Sequence, residues 1–563
     1  MHGGHGKRRA AGLLAALLLA GAAVAQAPEP FPVRIEVAAD QPQGELKPIW
    51  RFFGADEPNY ATMKDGRKLM QRLGELRPGA VYFRTHNLLN TGDGTPAFKW
   101  GSTNAYTEDK QGRPVYDWTV VDRILDGYLE RGVRPYLQIG FMPQALSSAP
   151  AGTPYQHSWR PGFDYSLIAA GWNAPPNDYA KWGELVYQWT QHCVERYGRD
   201  EVNTWYFEVW NEPNLPAYWR GTQQEFNKLH DFAIAAVRRA LPTARVGGPD
   251  VAGTGEAFMD AFLQHIVSGR NHATGEVGTP TDFLAFHAKG SPRFVDGHVR
   301  MGIAVQLTGV SNGFQKIAAV PQLRGKPIVI GENDPEGCAA CPGPQNAYRN
   351  GTMYSSYTAA SYKRIWELAR QHDVNLEGAL TWAFTFEDQP WFAGYRQLAT
   401  NGVDLPVLNV FRLYAKLGAT QLRARSDAEV PLADILANGV RGRPDVGVLA
   451  TRSPQGTVAV MTWHYHDDDL EGPDADVELQ LDGLGSSATR RVTQWRVDKQ
   501  HANAFSAWQA MGSPAAPNAT QYGQLEAASA MAPLTLAPLT VAKGRASVRF
   551  KLPRQGVSLL VIE

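Results

Sequence analysis

Trp205-Tyr206-Phe207-Glu208-Val209-Trp210-Asn211-Glu212-Pro213-Asn214 is the stretch on which the reading of this chain turns. Its apolar, aromatic run reads as a buried strand. The run stops at Pro213, which has no backbone N–H with which to extend a ladder. A carboxylate (Glu212) and an amide (Asn211) are thereby delivered to the end of a strand, with Trp205, Trp210 and Trp219 close in sequence. A second stretch has the same form: Pro327-Ile328-Val329-Ile330-Gly331-Glu332-Asn333-Asp334-Pro335 is apolar up to Glu332 and polar after it.

Short apolar runs of this kind recur from about Ile49 to about Gly418, each followed by an amphipathic stretch. The expected strands are Ile49–Phe53, Val81–Arg84, Tyr136–Gly140, Trp205–Val209, Arg245–Gly248, Phe283–His287, Ile328–Ile330 and Ala379–Phe384. Between them, Val121, Ile124, Leu125, Tyr128 and Leu129 fall at i, i+3, i+4, i+7 and i+8, the spacing that buries one face of a helix. Phe226, Leu229, Phe232, Ala233 and Val237 repeat that spacing, and Thr352–Gln371 reads as a further helix with Lys363 and Arg364 among its polar residues. Eight strands alternating with helices imply an α/β protein with a parallel sheet, either a barrel or a doubly wound sheet. The first strand lacks a G-x-G-x-x-G fingerprint, and no P-loop appears. The stretch also has the length of a (β/α)8 TIM barrel with loop insertions, a fold of about 250 residues that can exceed 400. In such barrels the chemistry lies at the C-terminal strand ends, where Glu212 ends strand four and Glu332 ends strand seven.

Beyond about Gly418 the pattern becomes strict alternation broken by turn residues. Val446–Thr451, Thr457–His464, Asp476–Leu481, Arg491–Val497 and Ala546–Leu552 read as strands of an accessory β-sandwich. Val33–Ala39 alternates likewise and is expected to pair with them. The expected division is residues 41–418 for the barrel and 30–40 plus 419–563 for the sandwich. Asn503–Pro538, rich in Ala, Pro and Gly, reads as a long loop.

The 563 residues carry 55 basic and 55 acidic side chains. That balance gives no reason to expect nucleic acid or an anionic membrane surface as partner. At the N-terminus, Lys7, Arg8 and Arg9 precede an apolar stretch, Ala10–Ala23, and an A-x-A site at Ala23-Val24-Ala25. These are the parts of a cleavable signal peptide (residues 1–25), with the mature chain starting at Gln26 in the periplasm or outside the cell. No other segment has the length of a membrane span. Of the three cysteines, Cys193 lies in an apolar helical stripe and reads as core. Cys338 and Cys341 form a lone C-x-x-C, which in an oxidising compartment is better explained by a small disulfide than by zinc.

Two glutamates at two strand ends are what cleavage of a glycosidic bond needs: one acid, and one nucleophile or base. Aromatic surroundings favour the neutral form of a carboxyl, as a general acid requires, so Glu212 is the expected acid. Glu332, at the end of its apolar run, is the expected nucleophile. His86 and His287 sit at strand ends where they would contact substrate or nucleophile, Asn211 can bond a sugar hydroxyl, and Trp382 is placed to floor the sugar site. Arg84 and Glu208 are expected to pair beneath the site, with Arg84 helping to keep Glu332 ionised. A carboxyl pair suffices for this chemistry, so neither metal nor organic cofactor is expected.

Trp210-Asn211-Glu212-Pro213 with a strand-seven glutamate resembles the clan A glycoside hydrolases, and within it the chain is similar to family 39, which holds β-xylosidases and α-L-iduronidases. Phe83-Arg84-Thr85-His86, Phe286-His287-Ala288-Lys289-Gly290, Leu380-Thr381-Trp382-Ala383-Phe384 and Trp508-Gln509-Ala510-Met511-Gly512-Ser513-Pro514 extend the resemblance over most of the chain. It implies retention of configuration through a glycosyl-enzyme, with Glu212 as acid/base and Glu332 as nucleophile. Lys289 and Asp334 resemble the iduronidase branch, where the lysine helps receive a uronic acid carboxylate. Glu336, in the strand-seven loop, would repel such a group, and Glu387 and its acidic neighbours suit neutral hydroxyls. The favoured expectation is an exo-acting β-xylosidase on xylo-oligosaccharides. The alternatives are the same scaffold acting on arabinosides or uronides, or a non-catalytic carbohydrate-binding protein.

Overall fold

The computed structural model describes residues 29–563 apart from 98–99, 156–169, 339, 342, 384 and 487. The expected signal peptide and Phe384 lie outside the described residues. The barrel is built from β1 (Phe52–Ala55), β2 (Val81–Thr85), β3 (Val133–Ile139), β4 (Tyr206–Val209), β5 (Arg245–Val251), β6 (Phe283–His287), β7 (Pro327–Glu332) and β8, which runs in two pieces, Asn375–Ala379 and Thr381–Trp382. Each strand pairs in parallel with the next. Closure comes through β8: its first piece pairs with β7, and its second pairs with β1 through Trp382 opposite Gly54. A side chain at Gly54 would meet the Trp382 ring 2.5 Å away, so this contact requires glycine.

A helix follows each strand: Lys64–Leu76, Thr119–Leu129, Tyr179–Tyr197, Gln223–Ala240, Glu256–Ser268, Ile303–Ala318, Thr352–Gln371 and Pro406–Ala415. The stripe Val121, Ile124, Leu125 and Tyr128 is buried against the barrel as its spacing demands. Gln223–Ala240 begins at a capping box in which Thr222 and Glu225 satisfy each other's backbone N–H groups, which anchors the turn downstream of Glu212. Among the described residues no helix is long and apolar enough to cross a membrane.

Strand boundaries differ from the sequence reading where burial mimics a strand. Ile49 and Trp50 are buried in a 3₁₀ turn, Ile49–Arg51, that precedes β1. β5 runs three residues past Gly248 and carries Asp250 into the sheet.

The second domain centres on a nine-stranded sheet. Phe31–Glu45 lies within it, antiparallel to Thr420–Ser426 and parallel to Ala475–Asp482, so the N-terminal segment is stitched into the C-terminal domain. Val33, Ile35, Val446, Val448, Val460 and Leu479 build this domain's own core, while Leu449, Ala459, Met461 and Trp463 face the other way and join the barrel core. Asp445–Arg452 and Val458–Tyr465 are therefore buried on both faces, whereas Ala475–Asp482 alternates. The helix Thr352–Gln371 lies between the two cores. Lys363 and Arg364 are accordingly buried and paired with Glu429, and Arg364 also with Asp445. Asn503–Pro538 is not the loop expected. It folds into two helices, Ala504–Ala510 and Ala519–Ser529, capped by Asn503 and Asn518. The alanines that suggested a loop are strong helix formers once a cap is present. Cys338 and Cys341 are joined by a disulfide, and Cys193 is free and buried.

Candidate active site

Glu212 reaches the barrel mouth through a sharp turn. Trp210 and Glu212 both take left-handed backbone angles, φ 71° and 45°, costly for residues with a side chain and held here by their surroundings. The Glu212 amide donates to the Asp250 carbonyl at 2.9 Å. Asn214 completes the clamp, its side chain accepting from the Ala252 amide and donating to the Ala252 carbonyl. The ends of β4 and β5 are thus locked together. The aromatic setting differs from the sequence reading. Trp205 lies at the start of β4, against Tyr197 and Glu201. Trp210 packs on Phe141, Trp182 and Trp219, forming a wall behind the turn. The polar partner of Glu212 is instead His287, whose Nδ1 stands 2.8 Å from Glu212 Oε1.

Glu332, the last residue of β7, is buried at 6% exposure. Lys289 Nζ lies 2.7 Å from it, Arg84 Nη1 3.5 Å and His287 Nε2 3.7 Å. Burial pushes its carboxyl up, but His287 and Lys289, followed by His86 and Arg84, pull it well below the usual carboxylate range. Arg84 therefore acts in the expected direction, as the last of these four groups. His86 is itself held toward its neutral form. Burial and Arg84 hold its imidazole well below its ordinary value, and Arg84 Nη1 lies 2.5 Å from His86 Nε2, an approach that requires a neutral ring accepting there. Its Nδ1 faces Asp56 at 2.5 Å.

Arg84 is the hub beneath the pair. It contacts Glu208 at 2.5 Å, donates to Asn211 Oδ1 at 3.0 Å and pairs with Asp250. Tyr136 donates to the far oxygen of Glu208. Asp250 also meets His287 Nε2 at 2.9 Å. Burial disfavours the charged ring of His287, yet Asp250 and then Glu332 outweigh it, and its pKa is raised to about 10.

Glu212, Glu332, His86, His287, Asn211 and Lys289 thus converge on one charged network. Asp334 bonds the Trp382 amide at 3.0 Å, pairs with Lys289 at 2.7 Å and lies 3.4 Å from Arg396, so it braces the loop. Trp382 has no exposed surface; it is a wall behind His86 rather than an open floor. Glu387 is engaged elsewhere, accepting from the Asp65 amide at the start of the helix Lys64–Leu76. Glu336 is buried against Arg349 at 2.5 Å and Arg396 at 3.4 Å. Its charge is neutralised, which removes the repulsion expected of it. Asp56, Asp250 and Arg396 were missed by sequence reasoning. Both aspartates end apolar runs, the signal that singled out Glu212 and Glu332.

One carboxylate oxygen of Glu212, one of Glu332 and a ring nitrogen of His287 lie within 4.8 Å of one another. That spacing suits an ion, but the surroundings oppose one: Lys289 and Arg84 already neutralise Glu332, and both His287 nitrogens face carboxylates. Two carboxyl groups at the C-terminal mouth of a (β/α)8 barrel, one of them held ionised, define a glycoside hydrolase. The model for glycosyl hydrolases family 39 matches residues 33–545, and the chain belongs to that family. It is 26% identical to the β-xylosidase of Geobacillus stearothermophilus, over 84% of this chain and 85% of that one. It is 27% identical to the α-L-iduronidase of Mus musculus, over 96% of this chain and 81% of the relative. The crystal structure of the GH39 enzyme from Xanthomonas axonopodis pv. citri superposes with a TM-score of 0.72 at 22% identity, covering 97% of this chain and all of that one. The chain is thus an enzyme that acts on carbohydrate.

Proposed function

We propose that this glycosidase is a retaining, exo-acting β-xylosidase that releases xylose from the non-reducing ends of xylo-oligosaccharides. One observation carries the retaining mechanism: an oxygen of Glu212 and an oxygen of Glu332 lie within 4.8 Å. Retaining pairs stand about 5–5.5 Å apart, while inverting pairs need about 6.5–9.5 Å to seat a water between them. Glu332, held ionised, attacks the anomeric carbon. Glu212 gives its proton to the departing oxygen as the glycosidic bond breaks. Water then attacks the glycosyl ester and returns a proton to Glu212, and Glu332 leaves as a carboxylate with the configuration retained.

Xylose is favoured because the Lys289 ammonium is already shared by Glu332 and Asp334, both at 2.7 Å. The β-xylosidase relative supports the same sugar. A second reading, an α-L-iduronide substrate, draws support from the neutralised Glu336 and from Arg396, whose buried Nε and Nη2 have no hydrogen-bond partner among the described residues. Turnover of aryl β-xyloside, α-L-arabinoside and α-L-iduronide separates the readings. Preference for the xyloside, with β-xylose as the first anomer seen by proton NMR and xylose plus xylotriose as the first products from xylotetraose, is the expected result. An α-xylose first product would overturn retention, and faster iduronide turnover would overturn the sugar. We also propose export through residues 1–25. N-terminal sequencing of the exported protein should begin at Gln26; an exported chain that retains Met1 would exclude cleavage.

A further inference from the structure

Asp250 touches neither carboxylate of the pair by hydrogen bond, yet much of the mouth is arranged around it. It is fully buried and held at φ 51°, a left-handed angle on a residue with a side chain. Its carboxylate occupies the space that a side chain at position 331 would need, since a Cβ on Gly331 would lie 1.9 Å from Asp250 Oδ1. The glycine immediately before Glu332 is thus what admits Asp250 to the site. From there Asp250 pairs with Arg84 and meets His287 Nε2 at 2.9 Å. The other ring nitrogen, Nδ1, is the one that meets Glu212.

We propose that Asp250 is a positioning residue for the reaction, fixing the His287 imidazole so that its Nδ1–H serves Glu212 in both chemical steps. The inference rests on the acid/base reading of Glu212 given above. His287 is faced by His86 just after β2, Glu212 after β4, Asp250 on β5 and Glu332 on β7, while Arg84 and Lys289 pair with the Asp250 and Glu332 carboxylates that it meets. A carboxylate on Nε2 keeps that nitrogen protonated and stabilises the charged ring, which leaves Nδ1 as a donor. Burial and then Arg84 and His287 act on Asp250, and the two cations prevail, holding it below its ordinary value. Nδ1–H bonds one oxygen of Glu212, so the acidic proton resides on the other oxygen and passes to the leaving group. When Glu332 is esterified and Glu212 is ionised, the imidazolium beside Glu212 balances the new anion. Without Asp250 the ring loses its fixed orientation and its charge, and Glu212 loses its donor.

Asp250→Asn keeps the size and removes the charge. For alkyl glycosides, whose leaving group needs the acid, kcat/KM should fall about 10²-fold, within the range of general acid catalysis. For dinitrophenyl glycosides, which leave unaided, kcat/KM should fall by less than about 10-fold. The alkaline limb of the kcat/KM profile should move to higher pH, because a cation beside the acid has been lost. Gly331→Ala, whose methyl displaces the Asp250 carboxylate, should give the same leaving-group pattern by a separate route. Equal losses on both substrate classes with an unmoved alkaline limb, or rates like those of the unmodified enzyme, would overturn the proposal. Glu212→Ala run in parallel separates the two levels. If it lacks the leaving-group dependence, the acid/base reading falls and the role of Asp250 falls with it. If it shows the dependence and Asp250→Asn does not, only the role of Asp250 falls.

Discussion

Two fully buried arginines do opposite work in this molecule. Arg364 sits between the barrel and the β-domain, paired with Asp445 at 3.1 Å and with Glu429 and Glu367 at 2.9 Å, and donating to the Val430 carbonyl at 2.7 Å. Arg84 sits under the barrel mouth, close to Glu208, Asp250 and Asn211 and 3.5 Å from Glu332. A buried charge is tolerable only when it is paired, and both meet that demand. The difference lies in what the partners do. The anions around Arg364 come from its own helix and from the β-domain and lie away from the carboxyl pair, so that network joins two domains. Around Arg84 one anion, Glu332, is the proposed nucleophile, whose charge would be lost and regained in each turnover. It is the most distant of Arg84's partners and leans on Lys289 and His287 instead. A guanidinium network is thus structural where all its bonds are short and permanent, and supports chemistry where one partner is held loosely enough to react.

Substitutions test that contrast, and Glu332→Ala should have the largest effect. Aryl glycoside turnover should fall by about 10⁴-fold or more while calorimetric sugar binding persists; near-normal rates would remove the nucleophile assignment. Arg364→Met should act on stability alone, costing about 3–5 kcal/mol in denaturant unfolding through the buried anions it strands. The folded fraction should keep its kcat, and a large kcat loss would erase the distinction between the two arginines. Lys289→Met should lower kcat by about 10-fold to 10²-fold and move the acidic limb of kcat/KM to higher pH, since a cation that keeps Glu332 ionised is gone. An unmoved limb would show that His287 and Arg84 suffice.

His287 gives a stability signature. Its folded pKa, about 10, lies above the ordinary 6.5, so its contribution is fully present below about pH 6.5 and is lost as pH rises through about 10. Urea titrations of the intact enzyme should show that decline across the window, and His287→Gln should lack it. Glu387→Gln should have the smallest effect, about 0.5–1 kcal/mol from a weakened helix N-terminus, with kcat/KM unchanged. A loss of sugar affinity in that variant would return Glu387 to the binding site.

Much of the fold is legible because it rests on local periodicity. Apolar runs locate all eight barrel strands, and helical patterns locate the helices after β2, β4 and β7. Errors fall where one local signal serves two structures: buried Ile49 and Trp50 occupy a turn, and the alanines after Asn503 form helices. Of the site, Glu212 and Glu332 stand out because a charge that ends an apolar run has a single plausible destination in a barrel. Asp250 carries the same mark, but Gly248 and Pro249 just before it end the apolar run early, although the strand continues to Val251. Lone residues such as Trp382, Glu336 and Glu387 could not be placed from the sequence, because their surroundings come from strands and loops far away in the chain.

The chain by itself determined the barrel, its two carboxylates and its family, since each follows from spacing along one segment and burial of one face. Tertiary structure alone decided the electrical state of the mouth. Which carboxylate is held ionised, which histidine is charged and which acid is cancelled by arginine all depend on distances of a few ångströms between residues that are mostly tens to hundreds of positions apart. Coulomb energies between buried groups change steeply over that range, and no local pattern encodes them.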